Sequence, residues 1–98
     1  TRAGEGDLEE AHSILLPLAK RGDAGAMVRL GRMHRDGMHV NRDLDEAIRW
    51  IRPASMQGFD WARRELANTL MARLSEGDVE EAQAIMSSLA KESYVKSQ

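Results

Sequence analysis

Residues 5–20, EGDLEEAHSILLPLAK, return near the other end of the chain as EGDVEEAQAIMSSLAK, residues 76–91, with ten of sixteen positions identical at a constant offset of 71. A third, partial copy lies between them. A shift of 36 aligns Asp7 with Asp43, Leu8 with Leu44, Glu10 with Glu46 and Ala11 with Ala47. The same shift aligns Pro17 with Pro53, Gly22 with Gly58, Ala26 with Ala62 and Leu30 with Leu66. A further shift of 35 carries Asp43, Glu46 and Ala47 onto Asp78, Glu81 and Ala82. A period of this size repeats one supersecondary unit, which buries its apolar face only by stacking on the next. The expected fold is all-α: a right-handed α/α solenoid of antiparallel helix pairs, about two and a half repeats and five helices. It forms a single domain, with a half repeat over 5–22 and units over 23–58 and 59–93.

Local signals agree with that division. Asp7, Asp43 and Asp78 stand where an N-cap belongs, with Glu10, Glu46 and Glu81 three residues on, the spacing of a capping box. Apolar residues follow at helical spacing: Leu44, Ala47, Ile48, Ile51 and Ala54 in one copy, Val79, Ala82, Ile85, Met86 and Leu89 in the last. Gly22 and Gly58 are placed to end the first two copies. The intervening helices are expected over roughly 23–36 and 59–74, with stripes Met27, Leu30, Gly31, His34 and Ala62, Leu66, Ala67, Leu70. Gly31 and Ala67 are equivalent, and Gly31 costs about 1 kcal/mol of helix propensity relative to Ala, so close helix approach is its expected purpose. Pro17 and Pro53 fall inside equivalent helices. Either the helix tolerates them on an outer face, or matched kinks help set the curvature. Ser88 at the third equivalent position shows that the proline is not obligatory.

The bulk numbers exclude more than they select. The 98 residues are 42% apolar, which suits one domain with a modest core. The net charge of −2 comes from 14 basic and 16 acidic residues, so no basic surplus points to nucleic acid. No apolar run is long enough to insert into a membrane. Cysteine is absent, which removes disulfides, thiol catalysis and cysteine-based zinc sites together. Thr1 is not an initiator Met and no signal-peptide pattern precedes the first repeat, so the chain is expected to be a piece of a longer protein.

Residues 26–58, AMVRLGRMHRDGMHVNRDLDEAIRWIRPASMQG, resemble a Sel1-like repeat, a relative of the tetratricopeptide repeat. Ala26, Leu30, Gly31, Gly37, Val40, Asp43, Ala47, Trp50, Ala54 and Gly58 all match that family's pattern. His34 stands for the usual Tyr, His39 for the second loop Gly and Ser55 for a second small Ala. The segment Arg73–Gly77 is one residue shorter than its counterpart and lacks the loop motif. The resemblance implies a scaffold: solenoid surfaces, mainly from the first helix of each pair, that hold proteins or peptides. Sel1-like proteins are common in bacteria, often around the envelope, and also occur in eukaryotic quality-control complexes, so the resemblance implies first a bacterial setting, in the cytoplasm or periplasm. Some Sel1-like proteins carry a disulfide in each repeat and have been linked to β-lactam binding, a branch that a cysteine-free chain does not support.

Opposite the expected buried stripes lie Arg29 and Arg32 in one helix and Trp61, Glu65 and Asn68 in another. Arg and Trp are enriched at binding hot spots. Leu16 lies off its helix's stripe, where the equivalent positions are Arg52 and Ser87, so either it is a singly exposed Leu or the N-terminal helix has a covered outer face, in a homodimer or against further repeats. These six residues are the candidate partner-binding set. Trp50 is expected to pack between helices, and the scattered methionines to fill the core. His34, Asp36 and His39 are the one group worth testing as metal ligands, but two His five apart do not share a helical face as an i, i+4 pair does. Glu9, Glu10, Glu80 and Glu81 fall on exposed capping turns. No serine has a His and an acid at motif spacing, and no glycine-rich phosphate loop occurs. The sequence therefore points to a non-enzymatic module without cofactor or metal that binds a protein or peptide. The alternative is a structural linker or capping segment of a larger protein, envelope-associated or enzymatic.

Overall fold

The computed structural model describes residues 3–97, with side chains described for 8–96. Among them the chain forms five helices and no strand: α1 Ala3–Lys20, α2 Ala24–Asp36, α3 Leu44–Ser55, α4 Asp60–Arg73 and α5 Asp78–Ser97. The polar C-terminal residues thus continue α5. α2 and α4 fall within a residue of their expected bounds.

The helix ends follow from local chemistry. Gly22 and Gly58 sit at φ 97° and 95°, which a side chain would resist. The Gly22 and Asp23 amides donate back to the Ala19 and Leu18 carbonyls at 3.0 and 3.1 Å, closing the last turn of α1. Asp43 caps α3 as expected, its carboxylate accepting from the Glu46 amide at 3.1 Å. Asp23 does the same for α2 through the Ala26 amide at 2.9 Å.

The other two expected caps are corrected. α1 begins at Ala3, so the backbone of Asp7 lies within the helix; its carboxylate lies outside the described side chains. Asp78 is the first residue of α5, and its carboxylate turns away from the α5 amides to accept from Arg73 and from the Ser75 amide. A guanidinium five residues upstream competes successfully for a carboxylate that the capping spacing assigns to the helix.

Packing runs from each helix to its neighbours in the chain, with a smaller contact between α2 and α4. Leu15 and Ala19 of α1 meet Ala26, Leu30 and Met33 of α2, and Trp50 of α3 packs against this group. Ala24 and Val28 of α2 meet Ala54 and Ala62. Ile48 and Ile51 of α3 meet Leu66, Ala67, Leu70 and, in α5, Ala82. α2 is therefore buried on two sides, and Val28 and Met33 join the expected stripe. Met86, expected in the α5 stripe, is exposed because no further helix covers it among the described residues. Gly31 sits at a close approach of α2 to α3, against Ile51 and the Ala47 carbonyl.

Polar ties reinforce the same order. Arg52 binds Glu81 at 2.5 and 3.2 Å, and Arg63 binds Glu92 at 2.9 and 3.2 Å. The Gln57 amide donates to the Gly22 carbonyl at 2.8 Å, joining the ends of α3 and α1. α1 and α3 run unbroken through Pro17 and Pro53.

The turn after α2 uses two left-handed residues, Gly37 at φ 71° and His39 at φ 69°. His39 accepts this unfavourable region because the turn is closed around it. The Asp43 amide donates to the His34 carbonyl at 2.8 Å and Arg42 Nε to the Arg35 carbonyl at 3.1 Å. In the connection after α4 Gly77 lies at φ 84°, but the residue directly after the helix is Leu74, which takes φ 55°.

Candidate partner-binding surface

α2 and α4 lie close enough to share a shallow groove of about 270 Å³, lined by Gly25, Val28, Arg29, Arg32, Trp61 and Glu65. Four of the six candidate residues meet there. Helical periodicity explains why: Val28 faces the interior, whereas Arg29 and Arg32 are three apart and share one exposed face.

Glu65 anchors the groove. Arg32 Nε donates to it at 3.0 Å, Arg32 Nη2 also contacts it, and Arg35 Nη1 donates at 2.9 Å. Burial of the Glu65 carboxylate opposes ionisation, but the hydrogen bonds from Arg32 and Arg35 outweigh it and hold its pKa below the ordinary carboxylate value. The bond to Glu65 in turn raises the pKa of Arg32. Thr69, fully buried, donates to the Glu65 carbonyl at 2.8 Å and fixes that turn of α4. Glu65 is thus committed to holding α2 on α4, while Arg32 stays half-exposed and Arg29 has no ion-pair partner among the described residues.

At one end of the groove Trp61 is 43% exposed and stacks on Phe59, ring centroids 5.3 Å apart and planes 26° from parallel. Phe59 was not among the expected residues. It stands at the extended N-cap of α4 without a capping side chain, outside the helix, so no helical spacing picks it out. Arg35, one turn beyond Arg32, was also missed.

The remaining two candidates lie elsewhere. Asn68 borders a separate open hollow of about 570 Å³ with Arg35, Asp36, Arg42 and Ala72. Leu16 is half-buried against the α1–α2 core group, not turned outward. Among the described residues of α1 the exposed large apolar side chains are instead Ile14 and Leu18. Leu16 is drawn inward because α2 covers a wider arc of α1 than a single stripe.

His39 places its ring 5.4 Å from that of His12, away from any convergence with His34 and Asp36. Among the described residues no three His, Cys, Asp or Glu side chains are grouped to hold a metal ion, and no helix is long and apolar enough to cross a membrane. Comparison with protein-family models, with curated proteins and with solved structures gave no match.

Proposed function

We propose that the chain is a Sel1-like solenoid segment, about two and a half antiparallel helix pairs, that serves as a protein–protein interaction module. Packing between chain neighbours supports the architecture, as do the equivalent glycine ends of α1 and α3 and an elongated body of 51 × 29 × 23 Å. The observation that carries the function is the Phe59–Trp61 stack beside Arg29 and Arg32. A large rigid apolar surface next to cations is the composition of a binding hot spot, and it lies on the helices that the resemblance assigns to partner contact. The partner is a protein or peptide segment with an apolar anchor for Trp61 and acidic groups for the arginines.

The test is a comparative capture with the immobilised chain and a variant carrying Arg29→Ala, Arg32→Ala and Trp61→Ala. A partner held by the native chain and released by the variant supports the module, whereas identical capture by both removes this surface from the function. Ile14 and Leu18 favour a second reading, a segment covered within a larger protein. Capture only when the chain is embedded in such a protein would select it.

A further inference from the structure

A shift of 36 lays the α1–α2 pair on the α3–α4 pair, with Leu15 on Ile51, Leu18 on Ala54 and Arg29 on Glu65. On α3–α4 these positions are covered by α2. Gly31 closes on Ile51, Val28 packs with Ala54, and Arg32 binds Glu65. On α1–α2 the corresponding face is open at Ile14 and Leu18 among the described residues, while Leu15 is already mostly buried against α2. Leu18 is 38% exposed where Ala54 is 0%, and Ile14 is 54% exposed where its counterpart Trp50 packs into the core. An open hollow of about 270 Å³ between Leu15, Leu18, Asp23 and Arg29 marks the place, and the Asp23 carboxylate there is engaged in capping the Ala26 amide.

The charge at this face is reversed. Arg29 occupies the position of Glu65, so a helix seated here as α2 sits on α4 would set its Arg32-equivalent against a cation. Complementarity calls for a carboxylate there.

We propose that this end face docks an amphipathic helix of a partner protein, bearing an aliphatic residue, a Gly or Ala three positions later, and an Asp or Glu immediately after that. These take the places of Val28, Gly31 and Arg32. The small residue lets the backbone close on Leu15, the aliphatic one covers Leu18, and the carboxylate reaches Arg29. A second copy's α2 would bring its Arg32 against Arg29, so the occupant is a partner helix with an acid at that position. This surface adjoins the Trp61 groove, sharing Arg29 with it, and rests on the function proposed above while adding a second contact; Ile14 and Leu18 belong to the end face alone.

The probe is a fluorescein-labelled peptide of residues 23–37 with Arg32→Glu, held helical by a hydrocarbon staple joining positions 26 and 30, which face away from the docking surface. It is titrated into the full 98-residue chain by anisotropy, beside the same peptide with Arg32 retained. The expected result is about tenfold tighter binding of the acidic peptide. Arg29→Glu in the chain should reverse the order, and Leu18→Asp or the more exposed Ile14→Lys should abolish binding while circular dichroism confirms the fold. Met86→Lys, on the far helix, should leave binding unchanged. Equal affinity for both peptides, no saturable binding, or self-association of the chain that Leu18→Asp removes would overturn the proposal, the last because a second copy would then hold the face.

Discussion

Gly31 faces Ile51 so closely that a β-carbon at position 31 would lie 2.7 Å from Ile51 Cδ1 and 3.0 Å from the Ala47 carbonyl oxygen. The first neighbour can shift only within a filled core, and the second is backbone. Gly31→Ala gains about 1 kcal/mol of helix propensity and loses about 1–3 kcal/mol to overpacking. The net expectation is destabilisation, measured by urea denaturation. Because the clash is with Ile51, Gly31→Ala combined with Ile51→Ala should cost less than the sum of the two single changes.

Leu74 ends α4 in the left-handed region, its amide donating to the Leu70 carbonyl at 2.9 Å, and its side chain is largely exposed. A bulky residue there carries strain that glycine lacks, and little packing is lost on its removal. Leu74→Gly should therefore stabilise the chain by about 1 kcal/mol, whereas Gly37→Ala, at the same place after α2, should destabilise it by about as much. Thermal melts of the two variants check both signs.

Arg73 grips Asp78 with two bonds of 2.8 Å, and the Ser75 amide adds a third at 2.8 Å. The Arg73 bonds, aided by the Ser75 amide, hold the Asp78 carboxyl down at about 2. A depressed carboxyl stabilises the fold fully above its unfolded value of about 4 and ceases to do so as pH falls through its folded value. The stability difference between the native chain and Asp78→Asn should be largest at neutral pH and shrink from about pH 4 downward, followed by denaturant titrations at several pH values.

Pro53 is exposed on an unbroken α3 and removes one internal amide. If the proline is merely tolerated, Pro53→Ala restores a hydrogen bond and raises stability by about 1–3 kcal/mol. Unchanged or lower stability would assign the proline a part in setting how successive pairs lie against each other.

The repeat made most of the fold legible. An offset of 36 predicts α2 from α4 and α1 from α3, and Gly22, Gly58, Gly31 and Asp43 act as their types and places suggest. The departures share a cause, since a stripe on a helical wheel assumes one buried side. α2 has two, which brings Val28 and Met33 into the core, and α1 turns Leu16 as well as Leu15 onto that group. Asp78 escaped for a different reason. Its capping spacing is local, while Arg73 reaches it across a turn whose shape depends on Leu74 adopting an unusual φ. Of the candidate site, the Arg29–Arg32 face was readable from periodicity. Its closure against Trp61 depended on how near α4 comes to α2.

The succession of interfaces from α1 to α5 gives the molecule a graded interior. Loss of α5 strips Ala82 and Arg52's acidic partner from α3 but leaves the α1–α2 seam whole, and loss of α1 leaves Gly31 still locked on Ile51. Fraying can therefore proceed from either edge one helix at a time, and amides near Ile51 should be the last to exchange their hydrogens.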